Sequence, residues 1–593
     1  MMCGVMFITF LVYLPSLKNG FVYWDDHVVL LENPNYRGFD WPRLKWMFTT
    51  GFMGHYQPLT WLSYAVDYTL WGMDPWGYHL TSVLLHAATA GGVYWVARFL
   101  LGRAVSRGSG EGGIGLDLGA MLAALLFALH PLRVESVAWA TERRDLTSGL
   151  FFVIALATYL RGVGCPARNP ARRTWMRLSL VAYALSLLGK VMGVSLPIIL
   201  VLLDAYPLRR LTAFPRGWRG PAVRGVWREK WPYFALAGLA AVNAFLVQYH
   251  GPAISSLHHV PWIVRLTTAS FGTAFYLYKT LVPLSLSPLY APDSPFNPFA
   301  WYFLVSGTVV AGITMAVLLA RRGWPAGPAL WAAYLVMLVP VVGIVQIGPQ
   351  IAADRYTYLP CLGWVLLPAA GWMAIWIRRA DHWMWKVGLA ASSLAGILVL
   401  VTLGWLTRRQ IAVWRDTEAL WNQAIRVHPH NGMAHSALAN WLDRQGRLTE
   451  AMHYHRLGIR YRPELAEGYS DMGVTLAKLG RRTEALEAFR QALRINPRSP
   501  GAHNGLGVIL TASNDPVEVR EGVEHFREAL QTRPTYTTAR INLAGHYLRT
   551  GEYARAVAIL EEGLRLSPFD ASLADHLARL RSLPSGAGPP ASP

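Results

Sequence analysis

Apolar residues in the first four hundred positions come in long runs, separated by short polar stretches. About twelve runs approach the roughly 20 residues that cross a bilayer at 1.5 Å per residue. They lie at 3–17, 79–101, 116–130, 146–162, 175–189, 191–206, 231–249, 264–283, 300–320, 328–346, 357–378 and 386–407. After residue 408 the runs give way to short amphipathic segments rich in Arg, Glu and His, with a helical period. Two units in different solvents are therefore expected: a polytopic helical membrane part over 1–408 and a helical tail beyond it.

The polar stretches assign the two sides of the membrane. Arg98, Arg103 and Arg107 follow the second run, and Arg161, Arg168, Arg172, Arg173 and Arg177 the fourth. Arg209, Arg210, Arg216, Arg219, Arg224, Arg228 and Lys230 follow the sixth, Arg321 and Arg322 the ninth, and Arg378, Arg379 and Lys386 the eleventh. Basic residues in short loops mark the cytoplasmic face. Lys18 to Gly77, His130 to Asp145, the turn Gly189–Lys190, the Pro-rich stretch 284–298 and Gln346 to Pro360 then lie outside. Lys230 inside and Ser285 outside enclose two runs, so one of the pair does not cross. About eleven spans of bilayer length remain, and the tail is expected outside.

The tail is repetitive. Pro429, Pro463 and Pro497 are 34 residues apart, Pro534 follows after 37, and Pro568 after another 34. Small residues recur in register: Ala439, Gly473, Gly507 and Ala544 early in each unit, and Ala451, Ala485 and Ala556 at the start of its second half. Gly458, Ala492, Ala529 and Gly563 sit late, and Gly446, Gly480 and Gly551 mark the turn between. Paired helices approach closely only where side chains are small, and proline closes each unit. The pattern resembles the tetratricopeptide repeat (TPR), with units near 432–465, 466–499, 500–536 and 537–570. A connecting helix is expected over 409–431, an α-solenoid over 432–570, and a helical cap with a disordered tail over 571–593. The three extra residues near Ser513–Asp515 are expected to lengthen one inter-helix turn. Solenoids of this kind present a concave groove to peptides or protein partners.

Composition agrees with this division. Hydrophobic residues make up 53% and charged residues 15%, and the 25 tryptophans suit a chain with many membrane–water interfaces. The net charge of +20 is accounted for by the basic loops, so no nucleic-acid partner is expected. Cys3, Cys165 and Cys361 are scattered, with no disulfide framework or metal spacing. Gly108–Gly113 spells G-x-G-x-x-G, but it follows no strand and reads as a flexible linker. The first run lacks a basic leader and a small-residue cleavage site, and reads as a short first span.

Ionisable groups in a membrane part are costly and so prompt functional readings. Asp25–Asp26 follow the first run. Adjacent carboxylates there can act as a general base or hold a divalent cation, or can be a solvated, capping pair. A second group is His130 to Trp139 with Glu142-Arg143-Arg144-Asp145, which includes Glu135. A third is Lys190, and the fourth is Asp354-Arg355-Tyr356. Interfacial ion pairing alone would also account for such groups. Arg and Lys at this depth suit a phosphate or pyrophosphate at headgroup level. All four groups fall on one face under a topology that the basic loops alone define.

The segments Asp25-Asp26, Tyr56-Gln57-Pro58-Leu59-Thr60, Gly77-Tyr78-His79-Leu80, Leu129 to Ser136, Glu142 to Asp145 and Ala353 to Pro360 carry a further resemblance. Together with the order of membrane part and repeats, they are similar to the transmembrane and tetratricopeptide-repeat-containing O-mannosyltransferases and their bacterial relatives, in the C-type glycosyltransferase superfamily. The resemblance implies an all-α fold and a polyprenyl-phosphate sugar donor. It also implies a multi-pass protein of the bacterial inner membrane, with the repeats extracytoplasmic. Asp25 or Asp26 would be the base that deprotonates an acceptor hydroxyl, with inversion at the anomeric carbon. His130, Glu135, Glu142, Arg143, Arg144, Asp145, Lys190, Asp354, Arg355 and Tyr356 would form the substrate site, the cations among them holding the donor phosphate. A divalent cation, if one is used, would have Asp25 and Asp26 as its ligands. A protein or peptide acceptor would be held by the repeats. A non-catalytic membrane-anchored scaffold and a transporter are the competing readings. The scaffold leaves the concentration of charge at outer loop mouths unexplained, and a transporter would carry it at mid-membrane.

Overall fold

The computed structural model describes residues 1–104, 113–166, 168–211, 216–218, 220–249, 261–291, 296–343, 350–379, 382–568 and 570–582. The glycine-rich loop expected as a linker, save Gly113, and the tail 583–593 lie outside them. The chain is helical, and the described residues contain no strand beyond one isolated bridge between Tyr290 and Ala352. It forms two compact units. One comprises Met1–Val29 and Tyr36–Gln423, the other Leu30–Asn35 and Ala424–Pro593.

In the first unit, six helices among the described residues are long and apolar enough to cross a membrane. They are Pro75–Ala104, Ala140–Gly164, Arg224–Tyr249, Trp301–Ala320, Pro360–Arg378 and Trp383–Trp414. A seventh arises if Ile114–Ala128 and Pro131–Ala138, bent by 55°, count as one broken span. This corrects the expectation of about eleven crossings, which took every apolar run as a full-length helix. Several runs are instead half-length. Met2–Tyr13 has 12 residues, Leu196–Ala205 has 10 and Ala326–Leu338 has 13. Pro170–Gly189 is long enough but opens on Arg172, Arg173 and Arg177, and Trp262–Leu281 carries Arg265 and Lys279. Within 231–283, only the first of the two helices qualifies.

Prolines set many of the starts, because a missing N–H costs nothing in a first turn. Pro58, Pro131, Pro170, Pro197 and Pro360 all sit there. One glycine permits a close helix–helix approach. A Cβ on Gly189 would come within 2.9 Å of the Ser148 backbone nitrogen. Its absence lets the end of Pro170–Gly189 lie directly on Arg143–Gly164. Ser186 Oγ donates to the Ser148 carbonyl (2.8 Å) and Ser148 Oγ to the Lys190 carbonyl (3.1 Å). Lys190 is thereby fixed beside the start of Arg143–Gly164.

In the second unit, four helix pairs follow the repeat. They are Gly432–Arg444 with Leu448–Tyr461, Ala466–Lys478 with Arg482–Ile495, Pro500–Thr511 with Pro516–Thr532, and Thr537–Arg549 with Tyr553–Leu566. Ala571–Ser582 follows as a final helix. Gly446, Gly480 and Gly551 adopt positive φ of 75°, 74° and 78° at the mid-unit turns, the left-handed conformation that glycine reaches without strain. The small residues do what their spacing implies: a Cβ on Gly473 would approach the Phe489 ring to 2.8 Å, and one on Gly507 the Phe526 ring to 2.7 Å. The three extra residues lengthen a helix rather than mainly a turn. Pro516–Thr532 has 17 residues where the other second helices have 14, and Asp515 caps it by accepting from Val517 N at 2.8 Å. At one register position, a side chain six residues on satisfies the carbonyl of the unit-closing proline. His435 Nε2–H donates to Pro429 (2.8 Å), His503 Nε2–H to Pro497 (3.0 Å), and Arg540 Nη2 to Pro534 (2.8 Å).

Phe489 is fully buried among the small residues of two neighbouring units. Phe489→Ala is expected to destabilise the repeats by about 3–5 kcal/mol, read as a lower temperature for proteolytic cleavage within 466–511 of the full chain.

Candidate active site

The stretch from Asn19 to Asp26 follows the first helix and meets the turn Trp139–Glu142 through Asp26. This carboxylate is buried. Its Oδ1 accepts from Thr141 N (3.0 Å) and Thr141 Oγ1 (2.5 Å), and its Oδ2 from Val22 N (3.0 Å). Burial pushes its carboxyl up to about 7, although these donors pull the other way. Asp25 is different. It is half-buried and makes no hydrogen bond or ion pair among the described residues. Burial raises its carboxyl, and Arg144 draws it back down. Asp26 ties the loop in place, and Asp25 is left free.

Beside Asp25 lies a cluster centred on Glu142, whose side chain is sealed from solvent. Arg144 grips it with two nitrogens, Nε at 3.1 Å and Nη2. Lys190 Nζ reaches it at 3.1 Å and Arg355 Nε at 3.4 Å. Lys190 also bonds Asp145 at 2.6 Å, and Ser136 Oγ donates to the other Asp145 oxygen at 3.2 Å. Glu135 holds Arg355 through both its Nη1 and its backbone N–H, the latter at 2.9 Å. The Arg355 guanidinium lies 5.4 Å from the Trp139 ring centre and 5.0 Å from that of Tyr356. Asp354 accepts from Tyr290 OH at 3.1 Å, and burial with the Glu135 charge raises its carboxyl well above the usual range. The acids thus orient the cations without using them up. Arg144 Nη1, Arg355 Nη2 and one Lys190 proton have no protein partner among the described residues. Converging cations with donors to spare, shielded from bulk water, form a place for an anionic oxygen group.

Two expected residues are committed elsewhere. Arg143 is fully buried, ion-paired to Asp67, and lies over the rings of Tyr64 (4.7 Å) and Tyr78 (5.5 Å). Its Nη2 donates to the Tyr78 carbonyl at 2.6 Å. These contacts tie the start of its helix to Pro58–Trp71 and Pro75–Ala104. His130 is a cap: Nδ1 accepts from Leu132 N (3.3 Å) and Nε2–H donates to the Thr280 carbonyl (3.0 Å). The described residues gather no group of three His, Cys, Asp or Glu side chains suited to a metal. With both Asp26 oxygens already taken, Asp25 and Asp26 present one free carboxylate and not a chelating pair.

Sequence reasoning missed Asp67, Thr141 and His55. An acidic residue inside the apolar helix Pro58–Trp71 was a visible signal for Asp67. His55 precedes that helix, after Met53 in a left-handed conformation (φ 52°). The helix is clamped by Thr60 Oγ1 to the Gly189 carbonyl (3.0 Å), and by Tyr64 OH to the carbonyls of Ala140 and Thr141 (2.9 Å each). This sets His55 in the field of the cluster. Burial, then Arg144 and Lys190, hold its imidazole well below the usual range.

Known proteins resemble large parts of this chain. Two family models described as tetratricopeptide repeat match residues 466–499 and 518–580. The chain is similar to the human "Protein O-mannosyl-transferase TMTC1", 23% identical over 500 residues, covering 77% of this chain and 54% of that protein. It is also similar to the Drosophila melanogaster "Protein O-mannosyl-transferase Tmtc1", 25% identical, covering 78% and 62%. These are homologues over most of the chain. The chain spans less than two thirds of the length of either. A solved thermophilic TPR protein from Thermus thermophilus aligns with 31% of the chain and 95% of its own length, at 23% identity and a TM-score of 0.26.

Asp67→Asn would leave the sealed Arg143 guanidinium without its counter-charge. It is expected to destabilise the membrane unit by about 3–5 kcal/mol, measured as a lower temperature of aggregation in detergent. Thr147→Val, which loses only a bond within its own helix, serves as the control.

Proposed function

We propose that the chain is a membrane glycosyltransferase that moves a sugar from a polyprenyl-phosphate donor to a protein hydroxyl, on Ser or Thr, at the extracytoplasmic face. The observation that carries this reading is the Asp25 carboxylate, without a hydrogen bond or ion pair among the described residues, beside three cations that retain free donors there. Similarity to proteins named protein O-mannosyl-transferases supports the reaction class and, with the repeats, a protein acceptor. It also favours mannose as the sugar.

In the proposed step, Asp25 accepts the proton of the acceptor hydroxyl as its oxygen bonds to the anomeric carbon. The bond from that carbon to the phosphate oxygen breaks, and the electron pair leaves with the lipid phosphate. In-line attack inverts the anomeric centre. Arg144, Lys190 and Arg355 stabilise the charge that builds on the leaving phosphate. Glu135, Glu142 and Asp145 hold the cations in place, Tyr356 lies beside the Arg355 guanidinium, and Asp354, bonded by Tyr290, steadies the turn that carries Arg355. The repeats present the acceptor. Support for the side comes from the basic loops and from the packing of Ile411–Gln423, after the last membrane helix, on the Asn19–Trp24 loop.

Asp25→Asn is expected to lower kcat by about 10²–10⁴-fold while donor binding is kept, measured with purified protein and a panel of polyprenyl-phosphate sugars. Asp26→Asn keeps an acceptor toward only one of its two partners and is expected to lose part of the rate. Full transfer by both variants would overturn Asp25 as the base, and no transfer by the parent protein with any donor of the panel would leave a membrane-anchored repeat scaffold. Asp25 must be ionised to take a proton, and burial raises its carboxyl. The rate should therefore rise with pH along an acid limb that lies above the ordinary carboxylate range, seen in a kcat–pH profile.

A further inference from the structure

The loop that carries Asp25 is held both from within and from outside. Within it, Trp24 N donates to the Val22 carbonyl and Val22 N to the Asp26 carboxylate. Three more bonds come from a segment nearly four hundred residues away. Gly20 N donates to the Arg415 carbonyl at 2.9 Å, and Asn19 Nδ2 to the Ile411 carbonyl at 3.3 Å. Tyr23 N donates to Thr417 Oγ1 at 2.7 Å, and Thr417 is buried. Aromatic packing runs alongside. Trp139 is stacked between Trp24, at 4.6 Å and 18°, and Trp414, at 5.3 Å and 26°. Trp421 lies against Trp24 at 5.1 Å. Trp139 is also the ring next to the Arg355 guanidinium. Residues 411–421 therefore touch both sides of the site: the Asp25 loop directly, and the cation cluster through one indole.

We propose that this segment after the last membrane helix is a working part of the active site, with Thr417 and Trp414 as positioning residues for Asp25. Thr417 holds the backbone two residues before the carboxylate. Trp414 holds Trp139, and Trp139 sets the distance between the Asp25 loop and Arg355. Without the Thr417 hydroxyl, the Tyr23 N–H loses this acceptor and the loop is loosened at the point nearest the base. In a chain where the repeats follow directly, the segment leading into them is then also the template for the catalytic loop. The inference rests on Asp25 being the base.

The test uses the full chain in detergent or liposomes, with Asp25→Asn in parallel. Thr417→Val is expected to lower kcat by about 10–100-fold with donor KM within about twofold of the parent, and to move the acid limb of the kcat–pH profile. Thr417→Ser should restore both, which a general loss of folding would not allow. If Thr417→Val fails to accumulate, Asn19→Ala removes the bond to Ile411 from the other side and should show the same kcat and pH signature. A parental kcat and pH profile in Thr417→Val, or in Asn19→Ala when it is the variant measured, would overturn the positioning role while Asp25→Asn is inactive. An active Asp25→Asn would instead overturn the catalytic reading beneath it.

Discussion

A carboxylate sealed from water has to be matched by charge, and Glu142 is matched three times over. Arg144, Lys190 and Arg355 reach it from three separate parts of the chain. An unpaired ion in such a place costs several kcal/mol, so those parts cannot drift from one another. The turn at 139–142, the turn after Gly189 and the segment after Ala353 become a single frame. Each further acid, Asp145 or Glu135, fixes the direction of one cation. The outcome is a set of cations held in fixed positions, the arrangement by which fixed charges favour a developing anion in the proposed reaction.

Around this frame the two neighbouring aspartates divide their work. Asp26 has three donors on two oxygens and is consumed by structure. Asp25, one residue earlier, meets none among the described residues. Backbone geometry separates them: at the entry to a helical turn, successive side chains diverge, and only one can meet the Thr141 hydroxyl. Arg143 and Arg144 divide in the same way, one locked to Asp67 and the other facing Glu142.

The repeat unit was legible almost residue by residue. A period of 34 with small residues in register constrains helix pairs strongly, because any larger side chain at Gly473 or Gly507 meets a phenyl ring. The membrane part was legible as a class and overcounted in detail. Apolar runs such as 191–206 and 328–346 report what a segment tolerates, while helix length depends on where it bends and on what its ends pair with. Asp25, Glu142, Arg144, Lys190 and Arg355 could be named as candidates because charge in an apolar context is rare. Arg143 and His130 satisfied the same criterion, and the structure engages them in an ion pair with Asp67 and in a cap on Leu132. His55, a lone histidine in a polar loop, carried no such signal.

By itself the sequence determined that two units exist, that one is apolar and the other repetitive, and which ionisable residues stand out in an apolar context. Those properties are local: they depend on composition and period, which a linear chain carries in full. Tertiary structure alone decided which of two adjacent acids is free, which arginines keep spare donors, and that Arg415 and Thr417 hold the loop of Asp25. Pairing between residues 20 and 415, or 142 and 355, is set by the packing of helices between them. No local pattern encodes a contact whose partners are brought together only when the whole unit has folded.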